Sequence, residues 1–423
     1  MDKNTCVIYA PFETYSGYGA RSRDVAKAII ELKQQEWDIK LLPCRWGNTS
    51  MNFIDDNPEW EGLKQYFIPQ LDFQPDIMIW ITVPNEFQKV GKFNIGITAG
   101  IESTIAPAEW VEGCSRMDLI LGSSKHTIET LKNSKFEKRD KNTNQVIGQI
   151  SWEGDSEVLF EGARTDIYTP LTFLPKIDLS NIKENFCYLF VGHWLPGQVG
   201  EDRKNVGLLI KAFYETFKNT TNPPALILKT SKSTSSYMDR DEIIKHIKAI
   251  KSTVKSKKLP KIYLLHGDFT DEQMNEIYNH SKVKAMVNLT KGEGFGRPLL
   301  EFSMINKPII TTYWSGHIDY LDPEFTTLLP GILTNIHPSA ANHMLLKEAQ
   351  WLSVDYGTVG FYLKDVYKNY KEYKNKANRQ GYKSRTEYSF DAMKNKLNNI
   401  LSTRVPILPK LVELNLPKLT KIK

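Results

Sequence analysis

Short apolar runs recur along this chain, each followed by a polar or amphipathic stretch long enough to form a helix. Cys6-Val-Ile-Tyr-Ala10 leads into a helix over residues 21–31, where Val25, Ile29 and Ile30 fall on one face. Further strand-like runs stand at 38–42, 75–84, 93–98 and 118–124. The last precedes a helix around 126–131 that Ser123 or Ser124 is placed to cap. Buried strands separated by helices are the pattern of a parallel sheet under helical layers. A second series opens at Cys187-Tyr-Leu-Phe-Val-Gly192, with strands at 225–229, 261–265 and 283–288. Its helices span 206–217, 243–250 and 271–280, with Asp271 placed to cap the last. Residues 365–385 read as one charged, tyrosine-dotted helix and 391–400 as another.

At 423 residues the chain exceeds the usual size of a single core, so the two series are two domains. The first covers residues 1–175, with a polar, lysine-rich insertion at about 132–156 expected as a surface hairpin or loop. The second covers 183–385, and residues 171–183 connect them. The tail at 404–423 is basic, carries Pro406, Pro409 and Pro417, and reads as an extended arm. Counts of 55 Lys+Arg and 49 Asp+Glu leave a net +6, which suits an anionic substrate but is far from a nucleic-acid-binding signature. Cys6, Cys44, Cys114 and Cys187 show no paired metal spacing and read as buried thiols of a reduced compartment. The N-terminal apolar run is too brief for a signal peptide, and no apolar stretch approaches about 18 residues. A cytoplasmic protein with no transmembrane segment is therefore expected.

The chemistry concentrates in Lys291-Gly-Glu-Gly-Phe-Gly-Arg-Pro-Leu-Leu-Glu301. Pro298 suits the first position of a helix, where its missing N–H has no helical partner. Gly294 and Gly296 allow the backbone to approach a ligand closely. Free N–H groups at the helix start make an anion site. Glu293 lies on the turn before that helix and Glu301 one turn into it. An anion cradle flanked by two carboxylates suits a phosphate attached to hydroxyl-rich groups, as in a nucleotide sugar.

Glu293-Gly-Phe-Gly-Arg-Pro-Leu-Leu-Glu301 resembles the signature of retaining, family-4-like glycosyltransferases of the GT-B fold (glycosyl transferases group 1). The resemblance is strongest from about 185 to 320. It implies two Rossmann-like domains facing across a cleft, with a last helix, here 386–403, crossing back to the first domain. It also implies that Glu293 bonds donor-sugar hydroxyls, that Glu301 binds the ribose, and that N–H groups around Phe295, Gly296 and Arg297 hold the diphosphate. Ser16-Gly-Tyr-Gly-Ala-Arg21 would close over the donor phosphate through Gly17 and Gly19. Val191-Gly-His-Trp194 followed by Arg203-Lys-Asn-Val206 resembles the family's basic phosphate pair. Lys204 matches its second position, whereas His193 stands where an arginine is usual, leaving Arg203 to supply the missing charge or Lys204 to act alone.

Other features carry more open readings. Lys229 ends a strand near the expected cleft, either touching the nucleotide or facing solvent. Glu102 stands where relatives place a histidine, as a hydrogen-bond acceptor or base for the acceptor hydroxyl, or as a bracing loop residue. Ser315 and Gly316 fit the family's donor-orienting turn, and His317 reads as structural. Asp239-Arg-Asp241 reads as helix-start acids rather than a metal motif, and no histidine pair has H-E-x-x-H spacing, so no metal or cofactor is expected beyond the nucleotide-sugar co-substrate. The resemblance implies transfer of a hexose-like unit from a UDP- or GDP-sugar to a hydroxyl acceptor, a glycan or glycolipid, with retention. Two rivals stand beside it: the same chemistry on a modified base in DNA, and a non-catalytic nucleotide-binding module.

Overall fold

A computed structural model describes residues 3–408, apart from 48, 141 and 233–235. The apolar runs of the first half are β1 (Asn4–Ala10), β2 (Trp37–Pro43), β3 (Ile77–Ile81), β4 (Phe93–Thr98) and β5 (Leu119–Gly122). With β8 (Ser156–Val158) they form a parallel sheet in the order β2-β1-β3-β4-β5-β8. The hairpin β6 (Phe136–Arg139) and β7 (Val146–Ile150) lies exposed outside this sheet, as the polar insertion suggested. A second parallel sheet has the order β11-β10-β9-β12-β13-β14. Its strands are β9 (Cys187–Val191), β10 (Ala225–Lys229), β11 (Ile262–Leu265), β12 (Val283–Asn288), β13 (Ile309–Thr312) and β14 (Thr327–Leu329). Every residue of β3 and β9 is buried, which is why these strands are continuous apolar runs rather than alternating ones.

In the first lobe α1 (Gly17–Lys33), α2 (Phe53–Asp56), α3 (Ala108–Cys114) and α4 (Lys125–Asn133) flank the sheet. In the second lobe they are α5 (Val206–Phe217), α6 (Tyr237–Ser252), α7 (Asp271–Asn279), α8 (Arg297–Ser303), α9 (Tyr356–Lys368) and α10 (Tyr370–Glu387). Four helix expectations change. α1 starts at Gly17 because the Ser16 hydroxyl accepts from the Gly19 N–H and caps it there. α7 is capped by Thr270, not Asp271, through a capping box with Gln273. Pro298 is the second residue of α8, after Gly296 as cap. The single helix expected at 365–385 is two helices broken at Asn369, whose side-chain amide bonds Asp365 at 2.6 Å and competes with the helical ladder.

One element was not expected. The antiparallel hairpin β15 (Gly331–Asn335) and β16 (Gln350–Val354) reaches from the second lobe to the first. The Thr104 N–H donates to the Gln350 carbonyl at 2.9 Å, and the Gln350 N–H donates to Thr104 Oγ1 at 2.8 Å. The last helix, α11 (Phe390–Arg404), crosses back to the first lobe. Its Met393, Leu397, Ile400 and Leu401 join the core built by Val25, Ile29 and the first sheet. Lys394 pairs with Glu31 of α1 at 2.8 Å.

All four cysteines are free; Cys6, Cys114 and Cys187 are buried, whereas Cys44 is only half-buried. Among the described residues no helix is long and apolar enough to cross a membrane. Most of the basic tail, residues 409–423, lies outside the described residues.

Candidate functional site

The carboxyl ends of both sheets face one cavity of about 540 Å³ between the lobes. This is where open α/β sheets bind ligands. Glu293, Gly294, Phe295, Gly296, Arg297 and Glu301 line it from the second lobe, with Arg203, Lys204, Lys229 and His193. Gly17 and Glu102 line it from the first.

The loop after β12 is built by its glycines. Gly296 takes a φ of +90° as it opens α8, a conformation that favours glycine. A Cβ on Gly294 would sit 2.3 Å from the Ala99 carbonyl oxygen, and one on Gly292 would sit 2.3 Å from that of Glu102. These two glycines therefore admit the backbone of the opposite lobe. Ser123 and Ser124 donate to the Gly294 carbonyl at 3.1 and 2.7 Å, and the Lys125 N–H donates to Asp319 at 2.8 Å. The lobes are closed on one another along this seam. Ser315 and Gly316 brace the same loop: Ser315 Oγ accepts from the Glu293 N–H, and the Gly316 N–H donates to the Glu293 carbonyl, both at 2.9 Å. His317 is buried and bonds the Thr312 carbonyl at 2.6 Å.

A chain of alternating charges runs across the cleft. Lys204 Nζ lies 2.5 Å from Glu293 Oε1, Arg203 lies 3.6 Å from Glu293 Oε2, and Arg203 Nη2 lies 3.0 Å from Glu102. Arg203 also donates to the Gly292 carbonyl at 2.9 Å. Asp202 accepts from the Asn205 N–H at 2.6 Å, and Asn205 takes a φ of 58°; this turn presents Arg203 and Lys204 just before α5. Burial opposes charge on Glu293, but Lys204 and Arg203 overcome it and hold its carboxyl down at about 2. Burial lowers Lys204 in turn, and Glu293 partly restores it.

A second cluster surrounds Glu301. Its Oε1 accepts from Arg297 Nε at 3.0 Å and its Oε2 from the Tyr278 hydroxyl at 3.3 Å. Burial pushes this carboxyl up to about 7 against the opposing pull of Arg297. The other end of the Arg297 guanidinium crosses to Asp24 of α1 at 2.6 Å. Nearby, Tyr168 donates to Asp271 at 2.9 Å, and both line the cavity.

Of the residues singled out in sequence, Gly19 is off the cavity wall. A Cβ there would meet the Thr14 carbonyl oxygen at 2.3 Å, so packing inside the turn requires this glycine. Gly17 stands exposed at the start of α1. Lys229 lines the cavity with its ammonium 5.4 Å from the Phe269 ring, and burial lowers its basicity. His193 is lowered by burial and then by Lys204 and Lys229, so its imidazole is neutral near pH 7 and adds no cation. Asp239 and Asp241 belong to α6, with Asp239 bonded to His266 at 2.9 Å. Among the described residues no group of three or more His, Cys, Asp or Glu side chains could hold a metal.

Sequence reasoning missed Asp24, Glu161, Tyr168, Asp271 and Tyr278. Asp24, Asp271 and Tyr278 stand in no site motif, Glu161 and Tyr168 lie in the stretch 158–170 that turns into the linker and pointed to no site role, and only the pairing of the lobes brings the five to one wall. Asp24 was legible only as a polar residue beside the apolar face of α1.

No family model matches the sequence, and no curated protein matches it. Solved structures do. Sucrose-phosphate synthase from Thermosynechococcus elongatus superposes at a TM-score of 0.61, with 10% identity over 95% of this chain and 98% of that one. Anabaena HepE in complex with UDP and glucose gives 0.61, with 9% identity over 95% and 100%. A glycosyltransferase from Rickettsia africae gives 0.61, with 11% identity over 96% and 100%. The chain has the GT-B fold. In a GT-B chain the two sheets face one another across a cleft, and here that cleft holds the Glu293 and Glu301 clusters. At these identities the likeness carries the GT-B architecture and not the activity.

Proposed function

We propose that this chain is a glycosyltransferase that moves a hexose-like unit from a UDP- or GDP-sugar to a hydroxyl of a glycan or glycolipid, with retention. The Lys204–Glu293–Arg203–Glu102 chain on the wall of the cleft, with Glu293 buried at its centre, carries the reading. A solvated loop glutamate would not be held at about 2 by two cations. HepE, a structural neighbour, was solved with UDP and glucose in one crystal and with UDP-glucose in another, which supports a nucleotide-sugar donor.

In the proposed reaction the bond from the anomeric carbon to the diphosphate oxygen breaks as the acceptor oxygen forms its bond on the same face. The acceptor proton passes to the departing phosphate oxygen. Charge grows on the diphosphate, and preorganised cations stabilise it. α8 has only seven residues, so Lys204 and Arg203 carry most of that task. Glu293 orients the sugar, and the contact of the lobes at Gly294 would limit the access of water to the donor. Ribose hydroxyls at Glu301 would share or displace the Arg297 and Tyr278 hydrogen bonds. With positive charge supplied by side chains, the reaction is proposed to run without metal, so chelation with EDTA is expected to leave the rate unchanged.

The test is a thermal-shift screen with UDP, GDP, ADP and their sugars, followed by assay of nucleoside diphosphate release. A ligand at 100 times its dissociation constant stabilises by roughly 2.7 kcal/mol. If no nucleotide or nucleotide sugar shifts the transition at millimolar concentration, the reading fails.

A further inference from the structure

Glu161 follows β8 at the point where the first lobe hands the chain to the second, and it lines the cavity. It is 8% exposed, yet its carboxyl has no hydrogen-bond or ion-pair partner among the described residues. Carboxyls this deep in a protein are nearly always paired, and the oxygens of this one stay open to the cavity, where a bound group can reach them. The two nearby guanidiniums are held by other acceptors. Arg21 gives its guanidinium to the Phe160 and Leu159 carbonyls at 2.9 and 2.5 Å. Arg297 gives its own to Asp24 and Glu301. The backbone is pinned as well: a Cβ on Gly162 would meet the Ser389 carbonyl oxygen at 2.6 Å, and the Ala163 N–H donates to the Tyr388 carbonyl.

The surroundings of Glu161 select the charge of what it can bind. Arg21 and Arg297 act on it from one side of the balance, Asp24 and Glu293 from the other. A cation placed there meets two guanidiniums, and an anion meets three carboxyls. A neutral hydroxyl meets neither penalty and supplies the missing donor. Arg297 and Glu293 belong to the loop that the reading above assigns to the donor. We propose that Glu161 holds a hydroxyl of the transferred sugar and so helps determine which nucleotide sugar this chain accepts. The inference rests on the donor assignment and goes one residue beyond it.

Calorimetric titration of wild type, Glu161→Leu and Glu161→Gln with UDP-glucose, GDP-mannose, UDP and GDP tests it. Glu161→Leu is expected to weaken the preferred nucleotide sugar at least tenfold while leaving the parent nucleotide within twofold. Glu161→Gln keeps the shape and one acceptor oxygen and is expected to recover most of the loss. Unchanged nucleotide-sugar affinity in Glu161→Leu, or a wild type that gains nothing from the sugar over its nucleotide, overturns the inference and leaves nucleotide binding standing. A wild type that binds none of the four ligands overturns both. Should Glu161→Leu fail to fold, a crystal of wild type with the nucleotide sugar decides. A hexose with a hydroxyl within about 3.2 Å of Glu161 sustains the inference, and an ordered hexose with none overturns it.

Discussion

Arg297 Nη1 and Asp24 Oδ2 meet at 2.6 Å, joining the signature helix of the second lobe to the first helix of the other. Both side chains are largely buried, and Arg297 reaches Glu301 at the same time. Removing one partner of a buried pair strands the other, at a cost of about 3–5 kcal/mol. Asp24→Ala is therefore expected to lower stability by a few kcal/mol in urea titration. In a double-mutant cycle with Arg297→Met the coupling should exceed about 1 kcal/mol. Additive effects would show that the bridge joins nothing.

Lys204→Ala removes the cation nearest Glu293. A fixed donor at a developing anion is worth about 10²–10³ in kcat. A loss of that size in nucleoside diphosphate release is expected, with circular dichroism unchanged. Turnover at the wild-type rate in a folded variant would remove Lys204 from the chemistry.

Glu301 sets a pH dependence of definite sign. Burial lifts its carboxyl from 4.5 to about 7, so between those values the folded state holds a proton that the unfolded state has lost. Stability from this group therefore falls as pH rises from 4.5 to 7, by an amount of the order of 3 kcal/mol. Glu293 acts oppositely and lower. Its carboxyl drops from 4.5 to about 2, and its contribution is lost as pH falls through that window. Unfolding free energies of wild type and Glu301→Gln at pH 5 and pH 7 should differ in slope, the variant being flatter. Parallel slopes would refute the assignment.

Gly294→Ala places a methyl group 2.3 Å from the Ala99 carbonyl oxygen, well inside van der Waals contact. The seam between the lobes is expected to part, seen as a larger radius of gyration in small-angle scattering. Catalysis should fall at least tenfold while the isolated nucleotide still binds. A variant with wild-type turnover and dimensions would show that the seam yields at no cost.

Much of the architecture was legible because local signals agree with it. β4, β10, β12 and α5 lie where their apolar runs place them, and the hairpin at 136–150 lies within the lysine-rich insertion. Boundaries moved where a single side chain decides, as Ser16 does for α1 and Asn369 does between α9 and α10. The β15–β16 hairpin gave no signal, since β15 is largely exposed and the partners of β16 at Thr104 and Lys291 are distant in sequence. The same limit applies to the site. Glu293 and Lys204 stand in motifs, whereas Asp24 and Glu161 acquire their surroundings only when the lobes meet.

The return of α11 ties the two ends of the polypeptide's schedule together. The first sheet is complete at Val158, but the helix that seals its core begins only at Phe390. During translation, at about 5–20 residues per second, that apolar face waits roughly 10–50 s for its cover. The half of the molecule made first is thus the half finished last, and its uncovered sheet face is expected to be the part of the nascent chain most open to chaperone binding.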